Sequence, residues 1–236
     1  MPGNNLNHLP IKVLQSLNKL REGKKEQFDL LDQISSIEEG KQFTHDFVLW
    51  TVINYSFAII DGFCQMVEQR NELCAGALLR LQIDSILRLY ALTLVDDFHG
   101  LLDALIKGKP WYKIKSIEGK PLRDKYLCEK ASERFPWISS AYDAASGFVH
   151  LSKPHFDKVF NLNIKPQPGE KTTPIGSMNF ENKDWPENTM IECIKTFTKA
   201  TRCLFELSQG WYCTKQSAVK QPEEWDHLRK ECFGPK

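Results

Sequence analysis

Apolar side chains recur at three- and four-residue steps along most of this chain, and the interruptions of that rhythm outline a series of helices. Residues 11–39 carry Ile11, Leu14, Leu17, Leu20, Phe28, Leu31 and Ile34 at helical spacing, with Gly23 as a division point and Gly40 as a stop. A second helix is predicted from Thr44, an N-cap type, to about Glu68. The third, from about Asn71 to Val95, is apolar nearly all round in ELCAGALLRLQIDSILRLYALTLV, the mark of an enclosed central helix. A short helix over 98–107 ends at Gly108 and Pro110, and 109–121 reads as a loop broken by Pro110, Gly119 and Pro121. Two helices follow, over about 122–134 and 136–150.

The rhythm then changes. Residues 151–187 hold five of the twelve prolines, and Val159, Leu162, Ile164, Ile175 and Met178 flank Pro166-Gln167-Pro168-Gly169, which predicts a small hairpin. Asp184-Trp185-Pro186-Glu187 has capping-box spacing and opens a long amphipathic helix over about Asn188 to Tyr212. Its apolar face includes Ile191, Ile194, Phe197, Leu204, Phe205 and Trp211, with Thr201 among them. Beyond 213 the chain is polar, with one short helix predicted around Glu223 to Glu231. The sum is an all-α multi-helix bundle read as one domain over 1–236: core helices at about 11–150 and 188–213, an irregular insertion at 151–187 and a peripheral tail at 214–236.

A chain of 236 residues, 42% hydrophobic and 11% aromatic, is long and apolar enough for one unstapled core and excludes a disordered protein. The uncharged run Phe47–Ile60 covers 14 residues, short of the roughly 17–25 that span a bilayer, and Asn54 and Asp61 add cost in lipid. It therefore reads as a buried helix of a soluble bundle, with no membrane partner. Seven cysteines (64, 74, 128, 193, 203, 213, 232) form an odd set without a CxxC pair, which argues against a disulfide framework or zinc ribbon and for a reducing, cytoplasmic setting. Met1–Lys12 has no apolar core of a signal peptide.

Charge changes the picture more than composition does. The 31 Lys+Arg balance 30 Asp+Glu to a formal +1, which excludes a surface uniformly built to grip nucleic acid. The balance is assembled from unlike parts: residues 107–134 carry nine basic and four acidic residues, net +5, while 29–46 carry five acids against Lys41, net −4. With Trp111, Tyr112, Lys113 and Lys115 inside it, the basic stretch is a candidate contact for a phosphate-bearing ligand, RNA or an acidic partner. The plainer reading is a solvated face neutralised by the acidic segment across the fold.

Arg80, Asp84 and Arg88 lie at i, i+4 and i+8 on the most hydrophobic helix, within an arc of about 80°. Tyr142, Ser146 and His150 repeat that spacing on a later helix, with Gly147 allowing close approach beside them. Facing each other, the stripes would join fixed positive charge to a group that titrates near neutrality, a set suited to a phosphate ligand. Candidate catalytic residues are accordingly His150, Tyr142, Ser146 and Arg80, and candidate ligand-binding residues Arg80, Asp84, Arg88, Lys113 and Lys115. The competing account is structural: an internal ion-pair network fixing helix register, beside a satisfied buried histidine. His150, His155 and Asp157 do not suggest a metal site, because HLSKPH lacks a one-face helical spacing and contains Pro154. No Gly-rich phosphate loop or GxSxG elbow is present, and no cofactor is implied.

The runs GALLRLQIDSILRLYAL, GKPLRDKYL and FPWISSAYDAASGFVHLSKPHF, within residues 71–156, resemble a set of microbial all-helical proteins without a settled activity. Their pattern is an LLR helix followed by a Y-x3-S-G-x-x-H-x-S segment. These in turn are distantly similar to HEPN-type helical domains, which are frequent in phage-defence and toxin–antitoxin operons. The resemblance implies a homodimer, an association with phage-defence or mobile-element systems, and metal-independent cleavage of RNA by an Arg and a His separated by four to six residues on one helix. Carried onto this chain, the His is His150 and the Arg falls at 143–145, where Asp143, Ala144 and Ala145 stand. The nearest upstream arginine is Arg134. The expected function is thus a helical binding or interaction protein. Its alternatives are a divergent HEPN-like ribonuclease using His150, and a sensor of phosphate ligands or nucleotides.

Overall fold

Seven α-helices, and no strand beyond an isolated bridge between Lys115 and Pro121, form among the residues that the computed structural model describes, 9–150, 152, 155–156 and 185–220. The chain is the all-α multi-helix bundle that its periodicity predicts. The predicted hairpin around 166–169, residue Asp184 and the short helix at 223–231 lie outside the described residues.

Helix α1 (Ile11–Ser36) runs unbroken through Gly23, correcting the expected division there. Its buried face is Val13, Leu17, Leu20, Gln27, Leu30 and Ile34, whereas Ile11 and Phe28 are 74% and 63% exposed. A 3-10 turn, Ile37–Gly40, follows with Glu38, Glu39 and Gly40 all at positive φ. Helix α2 (Thr44–Glu68) is capped by Phe43 rather than Thr44, because the Asp46 carboxylate reaches back to accept the Phe43 N–H at 2.7 Å. By length and composition α2 could cross a membrane, at a mean hydropathy of 1.5, and 50% of that apolar window is buried in the fold.

Helix α3 (Glu72–Ala91) is capped by the Asn71 side chain, which accepts the Cys74 N–H at 3.1 Å. It is the central helix, packed against α2, α5 (Asp124–Arg134), α6 (Trp137–Val149) and α7 (Glu187–Lys220). The short α4 (Phe98–Ile106), capped by Asp97, rests on α2. Helix α7 extends past the predicted end at Tyr212 to Lys220 and lies along α1, so residues 214–220 are not peripheral: Lys215 and Ala218 are buried.

Where α1, α2, α3 and α7 converge, the core is polar. The Gln82 amide donates to Ser56 Oγ at 2.8 Å and to Thr201 Oγ1 at 3.0 Å, and the Gln27 amide donates to the Thr201 carbonyl at 2.8 Å. All four residues are buried, and each of these bonds crosses between helices, which fixes their relative register.

The α3–α6 contact depends on Gly76: a β-carbon there would overlap the Phe148 ring, lying 2.6 Å from Cδ2. Gly76→Ala should therefore lower stability by about 1 kcal/mol, overpacking of ~1–3 kcal/mol outweighing a helix-propensity gain of about 1 kcal/mol. At Gly23, where nothing lies within 4 Å, the same change should raise stability, by up to about 1 kcal/mol. Urea midpoints that moved in the same direction for both variants would contradict the packing argument.

Candidate functional site

The enclosed helix α3 carries its charges on the side facing α5 and α6, and there each is met by a partner. The Arg80 guanidinium lies over the Tyr142 ring, 3.6 Å from its centroid, and its Nε donates to Ser146 Oγ at 3.1 Å. Ser146 in turn donates to the Tyr142 carbonyl at 2.7 Å. The remaining Arg80 nitrogens meet Asp84 in an ion contact and Asp124 at 3.7 Å. The two polar stripes thus join through Arg80, Tyr142 and Ser146.

His150 does not join them. Helix α6 ends at Val149, and His150 follows with extended φ and ψ of −107° and 145°, exposed to solvent. The expected i+8 position is lost because the helix stops one residue too early. No hydrogen bond or ion pair links His150 to another described residue.

Asp124, the first residue of α5, is the member that spacing along one helix could not reveal. Its carboxylate bridges Arg80 and Arg88, and it sits in the first turn of α5, where negative charge is favoured. Burial raises the Asp84 carboxyl above its ordinary value, against the lowering pull of Arg80 through hydrogen bond and charge. Burial likewise raises the Tyr142 phenol, which Arg80 opposes, so the ring is a neutral platform at physiological pH.

Arg88 is differently placed. One nitrogen binds Asp124, Trp111 lies with its ring centroid 5.5 Å from the guanidinium carbon, and Nη1 is buried without a hydrogen-bond partner. Arg88, Trp111 and Asp124 also line a cleft of about 520 Å³, together with Pro110, Tyr112 and Arg123. Lys113 and Lys115 are exposed on the same loop but do not line it.

Among the described residues the basic stretch is not neutralised from across the fold. Its ion pairs are local, with Asp103, Glu118 and Glu133 holding Lys107, Lys120 and Lys130. Among the described residues Lys109, Lys113, Lys115, Arg123, Lys125 and Arg134 have no ion-pair partner. The acidic segment points elsewhere: Asp46 binds Lys215, and Glu38 binds Lys41.

A second polar centre, around Asp46, is not among the groups that spacing along the chain singles out. Asp46 and Lys215 are both fully buried and meet at 2.8 Å; Lys215 Nζ also donates to the Ile34 carbonyl at 2.9 Å. The Trp211 indole donates to Asp46 at 2.7 Å, and His45 stacks on Trp211 with centroids 4.2 Å apart. The signal is present in α7: Phe197, Thr201, Leu204, Ser208, Trp211 and Lys215 continue one alternation of four- and three-residue steps.

The described cysteines are free thiols, and burial pushes Cys64 up to about 11 and Cys193 and Cys203 up to about 12. Such groups are packing elements, not nucleophiles. Compared with protein-family models, curated proteins and solved structures, the chain matches none.

Proposed function

We propose that this chain is a helical binding protein whose ligand carries phosphate beside an aromatic ring, held in the cleft between Arg88, Trp111, Tyr112 and Arg123. The observation that supports it most directly is the lining of the cleft, where Arg88 and Arg123 stand beside the rings of Trp111 and Tyr112. Arginine next to the half-buried Trp111 and the exposed Tyr112 suits a nucleotide, with stacking for the base and charge-assisted hydrogen bonds for phosphate. Arg80, Asp84 and Asp124 then serve as a scaffold, since Asp124 is shared by both arginines and fixes Arg88 against α5.

The ribonuclease alternative asks His150 and Arg80 to act together. Arg80 is engaged by Tyr142, Ser146 and Asp84, and His150 stands outside the helix that carries Tyr142 and Ser146. The homodimer and the phage-defence association rest on the resemblance of residues 71–156.

Titrating the full chain with ADP and with a short single-stranded RNA, at two salt concentrations, tests the proposal. Binding should weaken as salt rises. Trp111→Ala should weaken it about tenfold or more, as expected for a lost stacking contact of ~1–3 kcal/mol. Arg123→Ala should weaken it and flatten its salt dependence, while His150→Ala should leave it unchanged. Absence of binding to both probes, or RNA turnover that depends on His150, would overturn the proposal.

A further inference from the structure

A second cavity, separate from the Arg88 cleft, opens where the first turn of α2, the end of α3, the start of α4 and α7 converge. It encloses about 680 Å³, within the range of roughly 300–1,000 Å³ typical of small-molecule sites. Leu49, Leu89, Leu92, Phe98 and Leu207 supply apolar wall. Trp211 adds a flat face whose orientation is locked twice, by the indole bond to Asp46 and by the stack on His45, so this wall is preformed.

Three polar features mark the cavity as more than a packing gap. His45, on its wall, is 9% exposed and has a ring nitrogen, Nδ1, that is buried without a hydrogen-bond partner. Wedged between Phe98 and Trp211, the ring is held neutral by burial, so it adds no charge to this wall. Arg134, at the C-terminus of α5, also lines the cavity, is exposed, and has no ion-pair partner among the described residues. Asp96, likewise exposed on the lining, places a negative charge there that opposes a polyanion.

We infer that this cavity binds an amphipathic monocarboxylate, its aliphatic body against Leu49, Leu89, Leu92, Leu207 and Trp211 and its single carboxylate on Arg134. The Arg134 guanidinium lies 5.2 Å from the Phe135 ring centroid and has no carboxylate partner among the described residues, so one anionic group would pair with it, and a second would meet Asp96. That charge pattern separates this ligand class from the phosphate-bearing ligand of the Arg88 cleft, and the two sites share no lining residue.

Calorimetric titration of the full chain with octanoate, and with octanol as its uncharged counterpart, tests the assignment. Octanoate should bind with one site per chain and at least tenfold more tightly than octanol. Arg134→Gln should weaken octanoate about tenfold and leave octanol unchanged. Gly210→Phe should weaken binding of both at least tenfold, because Gly210 lines the cavity and, outside its own helix backbone and chain neighbours, no atom lies within 4 Å of its β-carbon position, so the added ring narrows the site without clashing at its root. Trp111→Ala should leave octanoate binding intact. Failure of octanoate to bind, equal affinity for octanol, or indifference to Arg134→Gln or Gly210→Phe would each overturn the inference.

Discussion

Replacing Lys215 by methionine is expected to destabilise the bundle by about 3–5 kcal/mol, the scale at which removing one member of a buried ion pair leaves the other uncompensated. Lys215 and Asp46 are both 0% exposed in their side chains, so no water replaces the lost partner. The Asp46 carboxylate would keep its bonds from the Phe43 N–H and the Trp211 indole but would carry a negative charge with no counter-ion. The Ile34 carbonyl, which receives the other Lys215 bond, would lose it as well. Neutralising both partners should recover part of the loss, because the side-chain amide introduced by the double variant Asp46→Asn/Lys215→Met carries no charge, although its single oxygen accepts only one of the two bonds that the Phe43 N–H and the Trp211 indole make to the carboxylate. Urea midpoints for the single and double variants give the coupling directly. A Lys215→Met variant within about 1 kcal/mol of the parent protein would show that the pair is not held as described.

Acidification is the second large effect. Burial between Phe98 and Trp211 lowers the His45 pKa to about 4, from an ordinary 6.5. Above pH 6.5 the ring is neutral in folded and unfolded chains alike, and its contribution to stability is fully present. As pH falls below 6.5 the unfolded chain takes up a proton that the folded chain refuses, so stability is lost until about pH 4, where both are protonated. The loss is roughly 2 kcal/mol between pH 7 and 5 and about 3 kcal/mol in all. His45→Phe keeps an aromatic ring in the slot and removes the titration. Its urea midpoint should fall less than the parent's between pH 7 and 5; equal slopes would mean that His45 takes up its proton in the folded state.

These two residues also show where the chain's own pattern is sufficient and where it is not. The all-α architecture is legible because each helix repeats its apolar face several times, so a single polar intruder does not erase it. That redundancy also explains the errors. On α1, Ile11 and Phe28 fit a helical spacing yet face solvent, because the true seam passes through Gln27, whose polarity is matched by α7. Lys215 is hidden in the same way: a lysine on the inward face of α7 reads as the start of a polar tail until Asp46, 169 positions earlier, is brought beside it.

The candidate site divides along the same line. Arg80, Asp84 and Arg88 are readable because their spacing lies within one helix; that the stripe through Tyr142 and Ser146 meets them is set by how α3 and α6 pack, which spacing leaves open. His150 fails because a helix end is decided by one residue, and periodicity does not resolve one residue. Asp124 and the Arg88 cleft are set by where a loop returns to the bundle, information that no single helix contains.

The polar knot of Gln27, Ser56, Gln82 and Thr201 has a consequence for how the protein comes into being. Gln27 leaves the ribosome 174 residues before its partner Thr201. At a synthesis rate of ~5–20 residues per second that is a wait of roughly 10–35 s. During it, the α1 face that lies along α7 has nothing to pack against, and the Gln27 amide has no Thr201 carbonyl to bind. Closure of the bundle is therefore a late event that joins α1 to α7, and the nascent chain must be kept from finding another surface for α1 until α7 arrives.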